Sequence, residues 1–205
     1  MAQETSGTRD REQTKERLIE AAIDILRENG FESLGVNAVA ERAGVSKVLI
    51  YRYFGDYNGL LRVVAGRVTP LDPSFAERML QVTEGDPSPA NIIRTVVHGL
   101  HRVVAENQLL QQVLIWELSA ENELTAAMAR QREETGVAQT KALRSFLRSQ
   151  GVAEDLDVDA LVALVTAGVF YLTLRSRQVE TFNGVDLRSE AGWERIASAL
   201  IPLVS

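Results

Sequence analysis

The stretch Val39-Ala40-Glu41-Arg42-Ala43-Gly44-Val45-Ser46-Lys47-Val48-Leu49-Ile50 constrains this chain more than any other. A small residue, a glycine four positions on and an apolar residue ten positions on fit two helices of about two turns joined by a three-residue turn. Ala40 is small where the second helix crosses the first. Gly44 suits a left-handed turn residue, and Ile50 plugs the angle between the helices. Ser46 can accept from the open N–H groups of the second helix. Four features in one register predict a helix-turn-helix.

The rest of the sequence supplies only helices around that motif. Apolar residues recur at three- and four-residue spacing, alternating runs are missing, and five prolines and fourteen glycines punctuate 205 residues. The class is all-α. Residues 1–13 are polar and read as a flexible arm. Thr14 then opens a helix with Leu18, Ile19, Ala22, Ile25 and Leu26 on one face, stopped by Gly30. Helices follow over 36–43, 47–54 and about 56–68, so that 14–68 forms one domain. Thr69-Pro70-Leu71-Asp72-Pro73 breaks the chain. In 69–205, Ser88 can cap and Pro89 can open a helix to about 106, with others over 108–118, 122–150, 157–178 and 189–202.

Several functions are excluded by what the sequence lacks. Without cysteine there are no disulfides, thiolate nucleophiles or Cys-ligated metals. His98 and His101, the only histidines, fall at i, i+3 toward a mostly solvated face, and no metal site is expected. Asp155-x-Asp157-x-Asp159 lacks the glycine and closing acid of a calcium loop and reads as an acidic helix start. With no phosphate-cradling glycine loop and no Gly-x-Ser-x-Gly, neither catalytic residues nor a cofactor are expected. The polar start has no secretory h-region. The apolar run 160–174 is shorter than the ~20 residues that span a bilayer, and reads as a buried helix. A soluble, cytoplasmic chain without a membrane partner is the expectation.

The formal charge of −6 speaks against nucleic acid only as an average. Residues 1–68 carry 10 basic and 10 acidic side chains, so the whole surplus of acid lies beyond them. Within 41–67, Arg42, Lys47, Arg52, Arg62 and Arg67 face only Glu41 and Asp56, a local +3. With Ile50 and Phe54 turned inward, Lys47, Val48, Leu49, Tyr51, Arg52 and Tyr53 lie around the outside of the second helix. Cations and phenols suit phosphates, and Val48 and Leu49 suit thymine methyls in a major groove.

Residues 14–61, from Thr-Lys-Glu-Arg-Leu-Ile-Glu-Ala-Ala through Gly30-Phe31, the Val39-to-Ser46 turn and Tyr51-x-Tyr53-Phe54 to Leu60-Leu61, resemble the TetR family of bacterial transcriptional regulators. The resemblance implies a nine- or ten-helix homodimer, with three N-terminal helices on a double-stranded DNA operator and a C-terminal domain that dimerises and takes up a small-molecule effector. It puts Ser46 and Lys47 at the start of the recognition helix, Tyr51 and Tyr53 at backbone-contacting positions, and Asn37 at a polar contact position. Two departures stand out. Gly35 replaces a usual Thr or Ser cap, and Tyr57 replaces a Lys, keeping a hydroxyl for phosphate but no charge.

In 69–205, polar residues inside apolar stripes point to a ligand pocket. Gln131 and Thr135 interrupt a stripe containing Met128, Glu117 shares a face with Leu110 and Leu114 beside Trp116, and Phe170 joins them. Helix 157–178 is apolar on nearly all sides. Leu161, Leu164, Val165, Gly168 and Leu172, with Trp193, Ile196 and Leu200 of the last helix, are expected to form a four-helix dimer interface. The leading reading is a ligand-responsive DNA-binding repressor. The alternative is a helical small-molecule carrier or enzyme that retains a helix-turn-helix.

Overall fold

The computed structural model describes residues 2–68, 85, 86, 88–119, 121–151 and 156–203. Among these are nine α-helices: α1 (Ala2–Asn29), α2 (Val36–Ala43), α3 (Val48–Phe54), α4 (Tyr57–Val68), α5 (Pro89–Ala105), α6 (Gln108–Ser119), α7 (Glu123–Ser149), α8 (Val158–Arg175) and α9 (Glu190–Leu200). The all-α expectation holds, apart from one small hairpin. The expected break at Thr69–Pro73 lies outside the described residues.

Helix α1 starts at Ala2, not at Thr14. The Thr14 hydroxyl donates to the Asp10 carbonyl at 2.8 Å and Lys15 pairs with Glu12 at 3.0 Å. Threonine here bonds back into the preceding turn instead of capping a new helix, so the polar arm expected over 1–13 is helical from residue 2.

The chain forms two compact units, Met1–Pro70 with Gln112–Gln131, and Leu71–Gln111 with Arg132–Ser205. This corrects the expected division at 69, because residues 112–131 cluster with the helix-turn-helix. The reason is apolar packing: Trp116 meets Phe31 edge-on, ring centroids 5.6 Å apart. Leu18, Leu26, Val39, Ile50, Leu60 and Val64 are wholly buried in this first unit.

In the second unit α5 packs against both α8 and α9. Ile93, Val97, Leu100, Val165, Val169, Trp193 and Ala197 make its core. The capping expectations are met: the Ser88 hydroxyl accepts from Asn91 N–H at 3.3 Å, and the Asp157 carboxylate accepts from Ala160 N–H at 3.0 Å. Between α8 and α9 lies the hairpin β1 (Thr181–Phe182) and β2 (Val185–Asp186). Its Asn183-Gly184 turn has φ of 48° and 78°, the signature of a two-residue hairpin turn. Phe182 rests edge-on against Tyr171 of α8 at 5.8 Å, and Arg195 of α9 donates to the Gly184 carbonyl at 2.9 Å.

Candidate nucleic-acid interface

The turn is built as its sequence requires. Helix α2 ends on Gly44 at φ 64° and ψ 38°, a left-handed cap that only glycine adopts without strain. Val45 N–H then donates to the Ala40 carbonyl at 3.0 Å. Arg17 of α1 donates to the Ala43 carbonyl, holding the end of α2 from the other side. The Ser46 hydroxyl accepts from Val48 N–H at 3.4 Å. Gly35, by contrast, leaves α2 without a side-chain cap.

Ile50 is wholly buried and fixes the rotation of α3, which determines the chemistry left outside. Val48 is 63% and Tyr51 50% exposed. Ser46, Lys47 and Arg52 are exposed with them, while Leu49 and Tyr53 are half-buried on the flanks. Lys47 Nζ donates to Asn37 Oδ1 at 3.3 Å, bringing together the candidate contacts of α2 and α3. The arrangement offers a cation, a guanidinium, a phenol and an aliphatic patch on one short helix, the means to touch phosphates and base edges together.

Two expectations are corrected. The Tyr57 hydroxyl is buried with no hydrogen-bond partner among the described residues, and burial pushes this phenol up to about 12. It does not present its oxygen to a phosphate. The +3 of residues 41–67 is also smaller in practice. Arg42 donates to Glu28 at 2.6 Å, and its guanidinium holds that carboxyl below its ordinary range. Arg62 lies 3.7 Å from Asp56, and Arg67 lies 2.9 Å from Glu16. Lys47 and Arg52 remain without a carboxylate partner among the described residues.

The pocket residues fall into different units. Trp116, Glu117, Met128 and Gln131 belong to the first and Thr135 and Phe170 to the second. Met128 is wholly buried, both Glu117 carboxylate oxygens are shut off from solvent, and Phe170 packs on the second unit's core. A different cavity, of about 40 Å³, lies in the second unit between α5, α7 and α8. Pro89, Ile92, Val96, Leu147, Leu161 and Val162 are among its lining, which is entirely apolar.

The dimer-interface expectation divides as well. Val165 and Trp193 are core residues, Trp193 because its indole N–H donates to the Leu187 carbonyl at 3.0 Å and its ring is enclosed. Leu161, Leu172, Ile196 and Leu200 pack at the edge of that core. Leu164 is left 73% exposed and Tyr171 55%, beside exposed Ala160, Ala163 and Ala167 and a Gly168 that meets no other group. Helix α8 is thus not the buried helix expected. By length and composition it could cross a membrane, yet only its inner face is buried. Polar bonds tie it into the unit, Asp159 to Arg144 and Thr173 to His101 at 3.0 Å.

His101 is likewise only partly solvated. It stacks on Trp193 at 3.9 Å between centroids, and His98 approaches Glu194 at 3.3 Å. Sequence reasoning missed this cluster and the hairpin, although Asn183-Gly184 was a visible turn signal.

An anchored turn, a short helix with a bare cationic face and a separate helical unit define a helix-turn-helix protein of the two-unit, all-helical type. Residues 18–64 match the family described as bacterial regulatory proteins, tetR family. The match spans the helix-turn-helix and the helices that anchor it. It is 33% identical over 86 residues to the HTH-type transcriptional regulator BetI of Pectobacterium carotovorum, a match covering 42% of this chain and 43% of BetI. The chain therefore spans less than half the length of that relative. Its fold is similar to that of FadR from Thermus thermophilus, a transcriptional repressor solved with lauroyl-CoA, at TM-score 0.61 and 20% identity over 92% of this chain and 93% of that one. FadR from Bacillus subtilis, solved with stearoyl-CoA, is similar at TM-score 0.60 and 20% identity, over 91% and 95%.

Proposed function

We propose that this protein is a cytoplasmic, ligand-responsive repressor of transcription that binds a roughly palindromic operator as a homodimer. The observation that carries the reading is the bare face of α3, where Lys47, Val48, Tyr51 and Arg52 stand exposed around a fully anchored Ile50. Two such helices in successive major grooves read half-sites about 34 Å apart. The apolar strip of α8 around Leu164 and Tyr171 is the surface for the second copy, since an apolar face of this kind is ordinarily covered.

The effector carries an apolar tail. Support comes from the cavity between α5, α7 and α8, which has no polar side chain in its lining, and from the acyl-CoA ligands of the two FadR proteins. At about 40 Å³ it is far smaller than the roughly 300 Å³ of an ordinary ligand pocket, so a tail entering there wedges the helices apart. That movement is the proposed link to the DNA-reading heads.

Selecting genomic fragments retained by the protein, followed by gel retardation, tests the reading. A recurrent palindrome is expected, with Lys47→Ala lowering the salt dependence of binding by about one unit. Lauroyl-CoA should release the fragment from the wild type and not from Leu147→Trp, which fills the cavity. Retention of no common sequence overturns the proposal.

A further inference from the structure

Among the described side chains, the part of α1 that precedes Leu18 contributes no residue to the apolar core. Residues 9–13 of α1 are all exposed, and the apolar face begins only at Leu18. A helical segment that is polar all round is not held by apolar packing of its own, so its polar contacts decide what it does.

The distribution of ion pairs indicates which contact. In this unit Lys15 is paired with Glu12, Arg27 with Asp24, Arg42 with Glu28, Arg62 with Asp56 and Arg67 with Glu16, and Arg17 is spent on the Ala43 carbonyl. Among the described residues of this unit, Arg9, Arg11, Lys47, Arg52 and, on α7, Arg130 have no carboxylate within ion-pair distance. Lys47 opens α3, Arg52 lies on it, Arg9 and Arg11 lie on the α1 extension, and Arg11 reaches α3. The Arg11 guanidinium stands over the Tyr53 ring, 5.6 Å from its centroid, and Tyr53 lies on the flank of the bare α3 face. The stack holds the guanidinium in place at the border of that face. The guanidinium's N–H donors, five in a fixed fork, have no acceptor among the described residues and can take an oxyanion.

We infer that the N-terminal extension of α1 is a second element of the DNA-binding surface, with Arg11, positioned by Tyr53, donating to a backbone phosphate beside the groove that α3 enters. The inference rests on the DNA-binding reading above. It adds one charge from a second helix to the Lys47 and Arg52 of the first. It also gives Tyr53, whose half-buried ring is otherwise a flank of α3, a task in holding that charge.

The experiment is the salt dependence of binding to a random-sequence DNA duplex, followed by fluorescence anisotropy, with thermal melting in parallel. Each phosphate contact contributes about 0.9 to the slope of log affinity against log salt. Arg11→Ala and Arg11→Gln should each lower the slope by about that amount while melting as the wild type does, and Arg11→Lys should retain it. If Lys47→Ala lowers the slope and the Arg11 variants do not, the inference is overturned and the DNA-binding reading stands. A lowered melting temperature with an unchanged slope makes Arg11 a packing group only and overturns it too. A wild type that binds no duplex overturns both.

Discussion

Helices α3 and α8 each bury one side and leave the other bare, and the chemistry left bare differs completely. On α3 it is Lys47, Tyr51 and Arg52 around a single large aliphatic, Val48. On α8 it is Leu164 and Tyr171 with the exposed Ala160, Ala163 and Ala167 beside them and no cation along the strip. Cations and phenols keep their hydration until a polyanion replaces it, so a face of the first kind is stable while waiting. An aliphatic strip gains free energy whenever it is covered, at about 25 cal/mol per Å². Exposure alone therefore does not identify a partner; the residue types that are exposed do.

The largest expected effect comes from giving α8 what α3 has. Leu164→Arg should convert a dimer to a monomer, because an unpaired charge in a covered apolar interface costs about 4 kcal/mol, roughly a thousandfold in dissociation constant. Sedimentation of wild type and variant checks it. If Leu164 faces water in the working protein, the change alters nothing beyond about 0.5 kcal/mol, and the contrast between the two faces collapses.

Each unit also has a glycine where an added methyl would strike the backbone itself. A methyl at Gly59 would lie 2.0 Å from the Phe54 carbonyl oxygen, and one at Gly192 would lie 1.6 Å from that of Asp186. Neither obstacle is a side chain able to swing away. Gly59→Ala and Gly192→Ala should each destabilise by about 3 kcal/mol. The two tryptophans separate the effects, since Trp116 belongs to the first unit and Trp193 to the second. With Trp193→Phe as background, Gly59→Ala should lower the fluorescence-detected transition; with Trp116→Phe, Gly192→Ala should do so.

How far the sequence told these things apart follows from the range of the interactions. The turn was legible because Ala40, Gly44, Ser46 and Ile50 interact within a dozen residues, and the caps at Ser88 and Asp157 are local for the same reason. Trp193 was not, since whether an amphipathic helix turns its indole inward or toward a second chain depends on Leu187 and His101, residues fixed only by the tertiary fold. Tyr57 deceived in the same way. A phenol at a position suited to lysine looks like a phosphate contact until the packing around α4 closes over its oxygen. The ion pairs Arg42–Glu28 and Arg67–Glu16 join residues 14 and 51 apart, so a local charge sum overstated the cationic tip.

A smaller test addresses the bare face of α3 itself. Tyr51→Phe removes only the hydroxyl of a half-exposed residue, with no partner among the described residues, so stability should stay within about 0.5 kcal/mol. If that hydroxyl donates to a phosphate, operator affinity should fall by about 1.5 kcal/mol, near tenfold. Gel retardation checks it. Equal affinity would leave Tyr51 as an apolar contact, closer in kind to the strip on α8.

The smallest effect concerns the polar bonds of α5 that hold α8 and α9 in place. Burial, with the nearby His98 and Arg102, lowers the His101 imidazole below its ordinary 6.5, and its stack on Trp193 and bond to Thr173 persist with the ring neutral. The unfolded chain then takes up a proton at a higher pH than the folded one. His101 thus contributes stability that is present above pH 6.5 and is lost as pH falls below it. The shifted carboxyls Asp86, Asp186 and Glu194 act in the same direction but start from 3.8 and 4.5, so their loss comes at lower pH. Between those ranges the melting temperature should decline with acid in the wild type and much less in His101→Gln, which keeps a polar group for Thr173 without the titration. An identical decline in both proteins would place the sensitivity elsewhere. It would also mean that the second unit, like the first, is held at its polar contacts by groups that do not titrate near neutrality.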